Sequence, residues 1–218
     1  MTSRLSGRWF HEGFGVQMEV KSVAVIGAGV VGQGFAYLAA ASGYRTILED
    51  VSDARLDQAT VWIARSLERA MADGTLEAIA RTTAATNLST AHTVEDAIRG
   101  ADLIIETLPD EMEMQIELFT ILDKFAKPNA IFASTGLLSI TELAEVTFCA
   151  DRCVGMRCSG SPAESKTIEL VKGLETSSET IAACTDLARR LGKVVVVVNE
   201  HDADKAREPE RKLTHVQD

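Results

Sequence analysis

"SVAVIGAGVVGQGFAYLAAASG", residues 22–43, decides the fold. Its first residues form an apolar run of strand composition, a glycine turn follows, and small and apolar residues then recur at helical spacing until Gly43. The turn, Gly27-Ala28-Gly29-Val30-Val31-Gly32, is a G-x-G-x-x-G, and Asp50 closes the next strand-like run, "RTILED". Strand, glycine turn, helix, strand and acid in this order open a dinucleotide-binding βαβ unit. Gly27 permits the tight turn, Gly29 lets backbone approach a pyrophosphate, and Gly32 allows close helix packing, while the helix N-terminus favours the phosphate charge. Asp50 is expected on the adenosine ribose hydroxyls, and its charge opposes a 2'-phosphate, so NAD is expected rather than NADP. A flavin dinucleotide uses the same fingerprint, but nothing else in the chain points to one.

Outward from this unit, helical spacing is predicted from Asp53 to about Met71, with Leu56, Ala59 or Thr60, Ile63 and Leu67 on one face. A short strand near Thr86–Leu88 and a small helix over Val94–Ile98 follow. "ADLIIETLP" is a continuous apolar run closed by Pro109, as a strand covered on both faces should be. "EMEMQIELFTILDKF" carries Met112, Ile116, Phe119 and Leu122 on one stripe, and Pro128 stops it. Then come the strand "AIFAS", a capping box at Ser139–Glu142, strands "RCVGMRC" and "TIELVKG", a second box at Thr176–Glu179 opening a helix to Leu191, and "KVVVVV". Alternation at this spacing predicts an α/β fold, a doubly wound, mostly parallel sheet of Rossmann type. The expected boundaries are a flexible N-terminal extension at 1–20, the NAD-binding domain at 21–199, and a charged tail with little to bury at 200–218. Translation is expected to start at either Met1 or Met18.

With 218 residues and 46% hydrophobic content, one sizeable core is expected. The net charge of -10 excludes a nucleic-acid partner and an anionic membrane surface, because phosphate would be repelled. No run approaches the roughly 18 consecutive apolar residues of a membrane span. Arg4 and Arg8 lead into no apolar segment, so the N-terminus is not a secretory signal. Cys149, Cys153, Cys158 and Cys184 lie in or beside apolar runs without a fourth ligand near the first three, so reduced buried thiols of a cytoplasmic protein are expected, with no metal.

Beyond these features, "VAVIGAGVVGQGFA", "GADLIIETLPDEMEMQIELFTILDKFAKPNAIFAS", "LSITELA", "DRCVGMRCSGSPAESKTIELVKGLETSSET" and "ARRLGK" resemble the NAD-binding domain of the L-3-hydroxyacyl-CoA dehydrogenases, of the 3-hydroxybutyryl-CoA dehydrogenase type in fatty-acid metabolism. The likeness runs from Lys21 to Val198. It implies an NAD-dependent oxidoreductase acting on the 3-hydroxyl of an acyl-CoA. In the family a histidine after the "VGM" strand takes the hydroxyl proton and a glutamate twelve residues later orients it. Here those positions are Arg157 and Glu169. Arginine stays protonated, so Arg157 cannot serve as that base. The family's next asparagine falls on Gly160, and its "SNTSSL" turn is shortened to "STGLL", which places Gly136 where the substrate-side serine stands.

The resemblance further implies that Asp110 lies by the nicotinamide ribose, with Gln115 in place of a lysine, and that Ser66 is a CoA contact, with Asp73 where a basic residue is expected. The resemblance also implies a C-terminal helical domain that closes the site and makes the dimer, and no counterpart to it is expected here, since Asn199-Glu200-His201-Asp202 leads into the expected tail. Three readings follow. One is an oxidoreductase with Arg157 polarising the 3-oxo oxygen, the second a non-catalytic NAD(H)-binding module working as a homo-oligomer or beside an intact homologue, and the third a truncated or frameshifted homologue. His201 is read as a solvated tail residue rather than a replacement base.

Overall fold

In the computed structural model the described residues are 18–75, 78–203 and 205, with the side chains of 78–81 outside the description. The elements run β1 (Ser22–Ile26), α1 (Val30–Ala41), β2 (Arg45–Glu49), α2 (Asp53–Ala72), α3 (Ala78–Asn87), β3 (Leu88–Ala91), α4 (Val94–Ile98), β4 (Leu103–Glu106), α5 (Met112–Phe125), β5 (Ile131–Ser134), α6 (Ile140–Ala144), a 3-10 turn (Ala150–Arg152), β6 (Cys153–Arg157), β7 (Thr167–Lys172), α7 (Ser178–Arg190) and β8 (Val194–Asn199). The strands form one sheet ordered β3-β2-β1-β4-β5-β6-β7-β8. Every pairing is parallel except β6 with β7, where Arg157 stands opposite Glu169.

Alternation along each strand divides the core between the two faces of the sheet. Val23 and Val25 of β1 face a cluster with Phe35 of α1, Leu56 and Ile63 of α2 and Leu187 of α7. Ala24 and Ile26 face the other side, with Ile98, Phe119, Leu122 and Leu143 from α4, α5 and α6. β1 and β4 are therefore buried on both faces, which is why they read as uninterrupted apolar runs. The order reverses between β1 and β4, and this switch point opens a crevice at the carboxyl ends of the strands.

Local signals set the helix starts. The hydroxyls of Ser52, Thr93 and Ser139 accept from the amides of Arg55, Asp96 and Glu142, capping α2, α4 and α6. The second capping box is displaced by one residue. Ser177, not Thr176, caps α7 by accepting from the Thr180 amide, because the Thr176 hydroxyl is drawn to the Cys153 carbonyl at 2.7 Å.

Two expectations about elements are corrected. Residues 78–87 are helical where the sequence promised no helix, and β3 begins at Leu88 rather than ending there. Three threonines and an asparagine mask the alanines of this ten-residue segment, which is too short to hold as a helix alone, and packing supplies the rest: Ala84 is fully buried and α3 lies against α1. At the other end, residues 200–203 continue as helix rather than tail. Ala203 is buried, and the Glu200 carboxylate accepts from the Ile140 and Thr141 amides and the Thr141 hydroxyl. Of the extension expected at 1–20, residues 1–17 lie outside the described residues, as do 204 and 206–218 of the expected tail, whereas Met18 and Val20 pack against the core.

Candidate cofactor and substrate site

The crevice begins with the glycine turn. Gly27 has a φ of +100°, which only glycine adopts without strain, and its amide is tied to the Glu49 carbonyl at 2.8 Å. A Cβ on Gly32 would lie 1.8 Å from the Gly27 carbonyl oxygen, so turn and helix approach at a distance only hydrogen permits. A Cβ on Gly29 would meet nothing within 4 Å, which leaves open space over the start of α1. Gly29 is the N-cap of this 12-residue helix, and no side chain caps it. The first amides of α1 thus face the crevice without a side-chain acceptor, an arrangement suited to a diphosphate.

Asp50 is nearly fully buried at the end of β2. One carboxylate oxygen accepts from the Ala28 amide at 3.0 Å and the other from the Ser52 amide at 2.9 Å, while the exposed Arg55 guanidinium lies 3.8 Å away. Gly29, Gln33, Asp50, Arg55 and Thr107 wall a groove of about 570 Å³. Ala28 is buried beneath it, and Val30 stands exposed at its rim. The residues present fit an adenine dinucleotide: a carboxylate at the ribose end, a glycine floor and uncapped helical amides between.

Asp110, one residue beyond the groove-lining Pro109, is exposed, and its Oδ1 accepts from the Leu137 amide at 2.8 Å. Next to it, a second groove of about 670 Å³ is lined by Thr135, Leu137, Arg157, Ser159, Lys166 and Glu169. Arg157 is 4% exposed, with Nε donating to the Gly136 carbonyl at 2.6 Å and Nη2 to the Leu138 carbonyl at 2.9 Å. Glu169 is its cross-strand neighbour and is half-buried. The structure therefore brings Gly27 to Val30 and Asp50 along one groove that reaches Pro109, and Arg157 with Glu169 into a second groove, while Asp110 follows Pro109 without lining either. Ser66 is not among the residues lining either groove: it is half-buried on α2, 11 residues beyond Arg55 and so about 16 Å further along the helix axis.

The sequence reading missed Glu106. This residue ends β4 fully buried, accepts from the Leu108 amide and receives the Ser134 hydroxyl at 2.6 Å. Burial pushes its carboxyl up to about 7, and the nearby Asp110 charge adds to the rise, against the lowering effect of the two hydrogen bonds. Gln115, where the resemblance expects a lysine, is also fully buried and donates to the Pro109 carbonyl at 3.1 Å. The available signal was an acid inside the otherwise apolar run "LIIE". Glu49, beside Asp50, is likewise buried and pushed up to about 7 by burial first and then by the Asp50 and Glu95 charges. No cluster of metal-binding side chains occurs among the described residues, and no helix among them is long and apolar enough to cross a membrane.

Residues 22–201 match the family model for the 3-hydroxyacyl-CoA dehydrogenase NAD binding domain. The chain is 33% identical over 184 residues to a probable 3-hydroxybutyryl-CoA dehydrogenase of Bacillus subtilis (strain 168), covering 84% of this chain and 64% of that one. It is 34% identical over 180 residues to the mitochondrial hydroxyacyl-coenzyme A dehydrogenase of Homo sapiens, covering 80% of this chain and 57% of that one. Among solved structures, 3-hydroxybutyryl-CoA dehydrogenase from Escherichia coli K12 superposes with a TM-score of 0.79 at 29% identity, over 84% of this chain and 39% of that chain. The chain thus spans less than two thirds of the length of these relatives.

Proposed function

The chain belongs to the 3-hydroxyacyl-CoA dehydrogenase NAD-binding domain family, and from that premise we propose that it is an NAD-dependent oxidoreductase domain of acyl-CoA metabolism, working on the 3-hydroxyl or 3-oxo group of an acyl thioester. The observation that carries the reading is the crevice itself, in which the Gly27–Gly32 turn, uncapped helical amides and the buried Asp50 carboxylate succeed one another at the sheet's switch point.

NAD, when bound, supplies the hydride acceptor, and NADH the donor. In this proposal the amides following Gly29 hold the diphosphate, Asp50 the adenosine ribose and Asp110 the nicotinamide-side ribose, with Ser66 as the CoA-side contact. Arg157 cannot accept the carbinol proton. Its fixed positive charge instead favours negative charge on the 3-oxygen, Glu169 balances that charge from the neighbouring strand, and the proton passes to water or to a group from a partner chain. Turnover without a positioned base falls on the order of a hundred- to ten-thousand-fold. A cytoplasmic setting and association with a second copy or with an intact homologue complete the proposal, in keeping with four cysteines that are all free.

A second reading, an NAD(H)-binding module without turnover, is favoured by one observation: the Arg157 guanidinium already donates to two backbone carbonyls. NADH oxidation with acetoacetyl-CoA, run beside protection from heat by NAD, separates the two. Turnover lost in Glu169→Gln supports the oxidoreductase; heat protection without turnover supports the module.

A further inference from the structure

The shortened turn after β5 has its polar backbone groups claimed one by one. The Thr135 amide donates to the Glu106 carbonyl at 3.0 Å, and the Gly136 amide to the Ser134 hydroxyl at 3.2 Å. The Leu137 amide donates to Asp110 at 2.8 Å, while the Gly136 and Leu138 carbonyls both accept from Arg157. The turn is therefore gripped from two sides, by a carboxylate just beyond the cofactor groove and by a guanidinium rising from β6.

Gly136 shows how tight the grip is. Its φ is not in the left-handed region, so backbone conformation does not require glycine there. Space favours it as the side chains stand: a Cβ would sit 2.2 Å from Asp110 Oδ1 and 2.9 Å from Gln115 Nε2, so Asp110 would have to move away from the turn. Arginine at 157, glycine at 136 and the five-residue turn are thus three parts of one arrangement. The guanidinium fork has the two donors needed for two carbonyls, which an imidazole in one tautomer does not.

We propose that Arg157 is a positioning residue, which through the turn at 134–138 fixes Asp110 and with it the nicotinamide end of the cofactor groove. The role involves no proton transfer at Arg157. It rests on the reading of the crevice as an NAD site and makes one claim that site alone does not make: loosening Arg157 harms the half of the groove next to Asp110 and spares the half next to Asp50.

The test compares two ligands by calorimetric titration, NADH and ADP, the latter lacking both the nicotinamide and the ribose that carries it. For Arg157→Met the expected result is an NADH Kd raised at least tenfold with the ADP Kd unchanged within about twofold, and partial recovery in Arg157→Lys, which restores a donor. Gly136→Ala, which drives a methyl toward Asp110, is expected to give the same selective loss and tests the link from the turn to the groove, and Arg157→Lys, which keeps a donor but not the fork, decides the role of Arg157 if Arg157→Met does not fold. An equal loss for both ligands in folded variants, or no loss for either, overturns the proposal. If the unaltered protein binds neither ligand, the cofactor reading itself has failed and takes this one with it; if it binds both and the variants show no selectivity, only the role of Arg157 is lost.

Discussion

The carboxylate of Asp50 accepts the amide of Ala28 at 3.0 Å, so the acid that ends β2 grips the glycine turn that ends β1. Its other oxygen accepts from Ser52, at the mouth of α2. Asp50 therefore shapes the turn as well as offering lone pairs to a ribose. Asp50→Ala leaves two amides without this acceptor, at about 1–3 kcal/mol for each one that stays buried. We expect a melting temperature lower by several degrees and an NADH Kd raised more than tenfold, with Asp50→Asn intermediate and its preference for NADH over NADPH reduced. Titration of both cofactors against the three proteins checks this.

Gly32→Ala tests the closest approach in the crevice. A methyl placed 1.8 Å from the Gly27 carbonyl forces turn and helix apart, and overpacking of this kind costs about 1–3 kcal/mol. Thermal melting should register the loss of stability, and NADH affinity should fall with it because the amides of α1 no longer meet the diphosphate. Gly29→Ala, whose Cβ meets no protein atom within 4 Å, is expected to melt as the unaltered protein does and yet bind NADH more weakly.

Glu106 makes stability depend on pH. Its carboxyl is raised in the folded chain to about 7 from 4.5, so between these values the folded state holds a proton that the unfolded state has released. Its stabilising contribution is then full below about pH 4.5 and is lost as pH rises through about 7. The buried Glu49 acts in the same direction over the same window. At about 1.4 kcal/mol per unit, Glu106 contributes up to about 3 kcal/mol of this dependence, and Glu49 less, because solvent screens it more. Glu106→Gln keeps an acceptor for Leu108 and carries no charge. It should melt several degrees above the unaltered protein at pH 8, and the gap should close toward pH 5.

Arg157→His is expected to raise acetoacetyl-CoA turnover by less than about a hundredfold, although a positioned base is worth up to about ten-thousandfold. An imidazole cannot hold both the Gly136 and Leu138 carbonyls, and Gly136 leaves no room for a substrate-side hydroxyl as the turn now stands. A steady-state assay of the folded variant decides; a larger gain means that the turn tolerates losing the guanidinium.

The doubly wound sheet was legible because its signals are local and mutually consistent. β1 and β4 are buried on both faces and read as apolar runs, Asp53 to Ala72 repeats at helical spacing, and the glycine turn has one chemical use. The resemblance supplied the family and the functional assignments of Asp110, Arg157 and Glu169. What stayed hidden depends on distant parts of the chain. α3 is helical through packing on α1, Ser177 caps α7 because Thr176 is bound to Cys153, and Glu200 is held by α6 some 60 positions away. Glu106 escaped notice because an acid at a strand end looks solvated until Ser134 and Leu108 are placed around it.

The central claim is that the groove from Gly27 to Pro109 takes an adenine dinucleotide. Calorimetric titration of the folded protein with NADH tests it most directly. The account predicts saturation at one equivalent per chain, competition by ADP-ribose, and loss of the signal in Asp50→Ala. Heat uptake that never saturates, in protein shown by circular dichroism to be folded, would contradict it.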